Sequence, residues 1–370
     1  MRIVRPASGA ASAPDLPLHT PSADGVQPGH PCQWWYWSGQ LRGASGRRYG
    51  FQLAFFAAEA VRGLLWGQMA HWALVDLGRG EFRSGSRVWL GAPRRVEGRF
   101  ELACPGGAAA CGGDGLDRLR LDLGACALDL SVRGADVVPH YDGRRRDYAF
   151  GGYTYYYSRP RMHASGELRR DGVRERVEGD VWFDRQYGDL SSALVEGWQW
   201  FSAHLDDGQQ LMIFRFNRAA SERFGAIVDA SGAARWLGPD AVQIEPLARW
   251  RSPRSGVDYP CAWRVRTDAH DLEVYTRLRG QEMNGRGWLG PIYWEGACEV
   301  SGSHRGAAYV ELLGSLEWPL AQAVRHPTAA LALATAAGRA GRLVAALRPT
   351  FPEDPATSTT RTAAPLGLVG

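Results

Sequence analysis

The sequence predicts an all-β protein: two antiparallel β-barrel or sandwich domains followed by one C-terminal helix. Three observations carry this. The chain has 370 residues, well above the roughly 100 to 200 of one domain, and its 45% hydrophobic content suffices for two cores. Short β-type runs alternate with turn chemistry at about the 8 to 12-residue spacing of sandwiches and barrels. No G-x-x-x-x-G-K-[ST] or G-x-G-x-x-G segment opens a helix after a strand, so a nucleotide-cradling α/β fold has no support.

Taken in order, residues 1–29 are rich in Pro, Ala, Ser and Gly and read as a flexible leader. The first domain is expected over 30–190. Its clearest hairpin runs from Trp35 through Gly43-Ala44-Ser45-Gly46 to Tyr49–Phe56. A second pairs Met162–Leu168 with Arg174–Phe183 around Asp171-Gly172. The second domain, 191–318, begins near Gly197-Trp198, after Gly188-Asp189-Leu190-Ser191-Ser192. It contains hairpins about Asp206-Asp207-Gly208 and about Asp268–Asp271. Leu333, Ala337, Ala340, Val344 and Leu347 then recur at helical spacing, predicting a helix over 319–348. That helix is expected to pack on the barrels, with weak membrane-surface contact as the alternative. Residues 349–370 read as a disordered tail.

The 43 basic residues are all arginine and exceed the 39 acids by only four. They alternate with acids, as in Glu167, Arg169, Arg170, Asp171, Arg174, Glu175 and Arg176, which argues against a nucleic-acid partner. The N-terminus lacks the apolar stretch of a signal peptide, and nowhere do ~18 apolar residues run together, so a cytoplasmic protein is expected. The six cysteines contain no C-x-x-C pair and read as free thiols; only Cys104 and Cys111 could pair locally.

Four clusters could carry chemistry. Gln33-Trp34-Trp35-Tyr36-Trp37 places Trp35 and Trp37 on one strand face and Trp34 and Tyr36 on the other. Either pair could fill a core, and Trp35 and Trp37 are taken as ligand-facing. Ala70-His71-Trp72 puts a histidine in an apolar strand; with His140, His163, His204 and His270 scattered, neither a metal nor a cofactor is expected. Tyr153–Ser158 alternates phenols between two faces, Tyr155 and Tyr157 sharing one. In Asp180–Gly188, alternation sends Trp182 and Asp184 to one side and Phe183 and Arg185 to the other. A carboxyl among rings is desolvated, its pKa rises, and it becomes a usable proton donor. The competing reading of Asp184 is a buried ion pair with Arg215.

These segments resemble the lipocalin-like proteins related to carotenoid 1,2-hydratase (hydroxyneurosporene synthase). The likeness rests on Trp34-Trp35-Tyr36 with Gly50–Phe56, Ala70–Leu74, Tyr155–Ser158 with Gly166, Asp184-Arg185-Gln186-Tyr187-Gly188, and Gly197–Phe201 with Leu205–Gly208. Tyr293-Trp294-Glu295-Gly296 resembles the late motif. The resemblance implies two calycin-type (lipocalin-like) β domains around a hydrophobic small-molecule pocket. Two departures stand out: Gln33 where the family has Glu before the double tryptophan, and Tyr187 where it has Trp. The first removes a carboxylate from any two-acid mechanism.

The function expected is a hydratase adding water across a C=C bond of an isoprenoid or polyene. Asp184 is its proton donor, and Tyr157 or His71 positions the water. Trp35, Trp37, Tyr155, Trp182, Gln186, Tyr187, Trp198, Trp200 and Arg215 are expected to contact substrate. The alternatives are a pericyclase of the Diels-Alder type, in which Tyr157 or Gln186 polarises a carbonyl, and a non-catalytic lipid or pigment binder.

Overall fold

The computed structural model describes residues 22–61, 65–134, 136–284 and 292–314, and 66% of them fall in strands. The N-terminal half begins with a four-strand meander: β1 (Cys32–Gly43), β2 (Arg48–Val61), β3 (Leu65–Asp76) and β4 (Glu81–Leu90). Then come β5 (Arg94–Val96), β6 (Arg99–Ala103), β7 (Ala108–Gly113), β8 (Leu116–Asp122) and β9 (Cys126–Arg133). Short β10 (Val138–Pro139) and β11 (Arg146–Asp147) precede the long β12 (Tyr153–Arg170) and β13 (Val173–Asp189). These 13 strands make one curled antiparallel sheet in the order β4-β3-β2-β1-β13-β12-β9-β8-β7-β6-β5, with β10 and β11 paired to β12.

One helical turn and a half, α1 (Ser191–Glu196), leads into the C-terminal half. There β14 (Trp198–Leu205), β15 (Gln210–Phe216), β16 (Arg223–Val228) and β17 (Ala234–Leu237) form a second meander. It is followed by β18 (Gln243–Arg251), β19 (Asp258–Arg266), β20 (Asp271–Tyr275), β21 (Glu282–Asn284), β22 (Ile292–Gly302) and β23 (Gly306–Leu313). The order is β17-β16-β15-β14-β23-β22-β20-β19-β18, with β21 on β22. The two halves repeat one topology: in each, the first strand pairs with the second and with the last, and the last pairs with the strand before it.

Local chemistry explains the hairpins. Between β12 and β13, Arg170 pairs with Val173, leaving Asp171 and Gly172 as a two-residue turn with φ of 49° and 83°. Asp and Gly are the residues that tolerate two successive positive φ values, and this turn matches the strand twist.

Strand alternation sorts the rings into three cores. Trp35 and Trp37 of β1 face the interior of the N-terminal half with Phe51, Phe100, Tyr157 and Phe183. Phe201, Ile213, Trp263 and Trp294 fill the C-terminal half. The other face of β1 turns toward the C-terminal half, where Trp34 and Tyr36 join Trp182, Trp198, Trp200 and Tyr293 in a core between the halves. Gly50 permits this docking, because a Cβ there would lie 2.8 Å from Cβ of Ala297. Gln40 fastens it, its Nε2 donating to the carbonyls of Cys298 (2.8 Å) and Ala308 (3.0 Å).

Residues 22–29 correct the leader expectation. Ser22–Asp24 form a 3-10 turn, and Ala23 and Asp24 are buried. Asp24 is held there by charge: Arg159 Nη1 and Nη2 donate to its two carboxylate oxygens at 2.7 and 3.0 Å, and Tyr157 Oη donates to Oδ1. Residues 1–21, the expected helix 319–348 and the tail 349–370 lie outside the described residues. All six cysteines are free, Cys104 buried and Cys111 exposed, so the local pair does not form. No helix among the described residues is long and apolar enough to cross a membrane.

Candidate active site between the halves

A cavity of about 30 Å³ lies in the core between the halves. Its walls are rings, Trp34, Tyr36 and Tyr156 from one half and Trp198, Trp200 and Tyr293 from the other, and it also touches Asp184, Gln186, Glu295 and Glu311. Trp34 stacks on Trp198 with centroids 5.9 Å apart, and Tyr36 meets Trp200 edge-on at 5.3 Å. Each such pair adds roughly 0.5–1.5 kcal/mol beyond area burial.

Register gives the site internal symmetry. Trp34 and Tyr36 on β1 lie opposite Gln186 and Asp184 on β13. Trp198 and Trp200 on β14 lie opposite Leu313 and Glu311 on β23. Asp184 also faces Ser158 on β12, as Glu311 faces Glu295 on β22. Asp184 and Glu311 therefore occupy equivalent places in the two repeats, and Ser158 corresponds to Glu295.

Asp184 is surrounded by donors. Trp182 Nε1 and Ser158 Oγ donate to Oδ1, the former at 2.7 Å, and Tyr156 Oη donates to Oδ2 at 2.5 Å. The donors are themselves engaged from behind: Trp200 Nε1 donates to Tyr156 Oη at 3.2 Å, and His140 Nε2 lies 2.7 Å from Ser158 Oγ. Burial pushes the Asp184 pKa up to about 6, against the pull of the Ser158, Tyr156 and Trp182 hydrogen bonds. Burial also lowers His140 to about 3, so its ring is neutral.

The opposite carboxyls have fewer donors. Neither oxygen of Glu295, a fully buried residue, makes a hydrogen bond, although Tyr36 and Tyr293 are near enough to oppose its protonation weakly. Burial, then the charge of Glu311, raises its pKa well above the carboxylate range. Burial raises Glu311 to about 7; the Trp198 N–H opposes this and the Asp184 charge adds to it. Asp184, Glu295 and Glu311 do not converge as a metal-ligand set.

Of the residues expected at the site, Asp184, Gln186, Trp198 and Trp200 line the cavity. Trp182 stands behind Asp184. His71 stands behind Tyr293, its Nδ1 2.7 Å from the phenol oxygen, and burial lowers its pKa to about 4. The remaining residues expected at the site lie away from this cavity. Trp35, Trp37, Tyr155, Tyr157 and Tyr187 belong to the N-terminal core. Trp35 Nε1 donates to the Asp24 carbonyl and Trp37 Nε1 to Asp117 Oδ2, and Tyr155 stacks on Tyr187. Tyr157 is committed to Asp24. Arg215 is half-buried on the face of β15 away from Phe214 and forms no ion pair with Asp184. Both faces of each ring cluster are buried, so alternation along the strand separates the two sets of rings without indicating which set meets the cavity between the halves.

Gln33 is likewise not a pocket residue. Its Oε1 accepts from Arg185 Nη2 at 2.9 Å, and Arg185 also donates to the carbonyls of Gly25 and Trp34. Glutamine at this position alters an arginine anchor in the N-terminal core, while the additional carboxyls of the pocket come from Glu295 and Glu311. Both could have been found by the signal that exposed Asp184, an acid directly following apolar or aromatic residues: Tyr293-Trp294-Glu295 and Tyr309-Val310-Glu311, as in Trp182-Phe183-Asp184.

The family profile described as AttH-like matches residues 11–315. The chain belongs to the AttH-like family. An AttH-type protein from Nitrosomonas europaea is similar in structure with a TM-score of 0.74 and 28% identity, covering 83% of this chain and all of its own. Kievitone hydratase from Nectria haematococca shares the fold with a TM-score of 0.66 and 18% identity, covering 81% of this chain and 94% of its own. No curated protein matches the chain in sequence. The AttH-like assignment and the fold of both structural relatives agree with the lipocalin-like architecture that the tryptophan and Asp184 motifs imply.

Proposed function

We propose that this AttH-like protein is a hydratase-type enzyme that adds water across a carbon–carbon double bond of a hydrophobic isoprenoid or polyene. The observation that supports this most is the placement of three carboxyls, Asp184, Glu295 and Glu311, on one ring-walled cavity. Alkene hydration needs a proton delivered to one carbon and a proton withdrawn from the incoming water. Buried carboxyls with raised pKa values serve such transfers near neutral pH. The tertiary cation formed in between would be stabilised by the faces of Tyr36, Trp198 and Trp200, at about 1–2 kcal/mol per desolvated ring. A kievitone hydratase with the same fold adds weight to this reading.

The cavity of about 30 Å³ is the size of a water site. A substrate of the proposed class therefore enters by parting the rings between the halves, with Trp34 and Trp198 at the seam. The test is to incubate the purified protein with an acyclic carotenoid, and separately with kievitone, in ¹⁸O-water. Hydration yields a product heavier by one labelled water, and Asp184→Asn lowers its rate at least ~100-fold. A cyclised product of unchanged mass would replace this reading with a pericyclase, and saturable binding without conversion would replace it with a carrier.

A further inference from the structure

We infer that Glu311 delivers the proton and that Asp184 works in the ionised form as the base, the two acting from equivalent positions on opposite sides of the cavity. This rests on the hydratase reading and assigns its acid and its base. The argument comes from where the hydrogens must lie. The indole N–H of Trp182 can only donate, and its acceptor is Asp184 Oδ1. Trp200 Nε1 can also only donate, so Tyr156 Oη accepts from it and turns its own hydrogen toward Asp184 Oδ2.

Ser158 completes the set. Were Asp184 protonated toward Ser158, the serine hydrogen would have to pass to His140 Nε2, placing the ring hydrogen on His140 Nδ1. That atom is buried and has no partner. A buried N–H without an acceptor costs more than a bare ring nitrogen, so the hydrogen stays on Nε2 and Ser158 donates to Asp184. Three donors thus point at one carboxyl, which accepts all of them as an anion.

Across the cavity the arrangement is reversed. Glu311 and Glu295 are direct cross-strand neighbours, and the Glu295 oxygens have only the phenols of Tyr36 and Tyr293 beside them, neither in good hydrogen-bonding geometry, against the three donors that engage Asp184. Among the described residues, the other groups facing the pair are the phenols of Tyr36, Tyr293 and Tyr309, the Trp198 indole and the Asp184 carboxylate, none of them a cation. Two adjacent buried carboxyls opposite an anion hold at least one proton between them. Both line the cavity, but Glu311 retains accessible surface where Glu295 is 1% exposed, so Glu311 is the one that reaches substrate, while Glu295 positions it.

In the reaction, the Glu311 O–H bond breaks as a C–H bond forms at the less substituted alkene carbon, leaving a carbocation and a Glu311 carboxylate. Water bonds to the cation through oxygen, and Asp184 takes one of its protons. Asp184 then releases that proton to solvent, and Glu311 regains one from it, so alkene plus water gives alcohol with both side chains restored.

Two measurements on the full-length protein test this. Infrared spectra at neutral pH, taken without substrate, should contain protonated-carboxyl carbonyl bands. Glu311→Gln should remove one of these and Asp184→Asn should leave them all. Loss of a band in Asp184→Asn, with none lost in Glu311→Gln, overturns the assignment whether or not the protein hydrates any substrate. In kcat/KM profiles, residual activity of Glu311→Gln should rise with pH, because it still needs ionised Asp184. That of Asp184→Asn should fall with pH; the opposite slopes would make Asp184 the donor. Absence of hydration with intact infrared bands would count against the hydratase reading alone.

Discussion

Replacing Glu311 by Gln should stabilise the protein, and only at high pH. The variant keeps the shape of the side chain and an oxygen able to accept from Trp198, but it cannot ionise. In the wild-type protein, burial and Asp184 lift the carboxyl from 4.5 to about 7. The folded state therefore holds this proton more tightly than the unfolded chain does. The stability it contributes is fully present below pH 4.5 and is lost as pH rises through about 7. At 1.36 kcal/mol per pH unit, ionising Glu311 in the folded state costs roughly 3 kcal/mol. The loss of its charge beside Glu295 acts in the same direction. Thermal unfolding followed by circular dichroism would show nearly equal Tm values for wild type and variant at about pH 4. A gap on the order of 5–10 °C in favour of the variant should open by about pH 8.5. A gap independent of pH, or one favouring wild type at high pH, would refute the burial and proximity argued for this carboxyl.

Three further outcomes follow from the same geometry. Ser158→Ala removes one of the three donors to Asp184, so the acidic limb of kcat/KM should move to higher pH and chemical denaturation should show a loss of about 1–3 kcal/mol. Asp24→Ala strands the buried guanidinium of Arg159 and should cost about 3–5 kcal/mol in the same measurement, although residue 24 lies in a stretch composed like a leader. Trp35→Ala should lower stability by about 3–5 kcal/mol, whereas Trp198→Ala should chiefly weaken binding of a polyene probe followed by its absorbance.

What the sequence by itself determined is what depends on neighbours along the chain. A period of two places Trp182 with Asp184, and Trp34 with Tyr36, whatever surrounds them. Asp-Gly and Asp-Asp-Gly mark turns because their backbones accept positive φ, and those hairpins were legible. The tertiary structure decided which face of each strand meets which core. In β1 both faces are apolar and both are buried, so no hydrophobic contrast indicates that Trp34 and Tyr36 face the second half while Trp35 and Trp37 face inward. It also decided the partners of Asp184. Glu295 and Glu311 are more than a hundred residues away in sequence, and only the docking of the halves through Gly50 and Gln40 brings the three carboxyls onto one cavity. The desolvation that raises their pKa values arises from that docking, because burial belongs to the assembled interface and to no single strand.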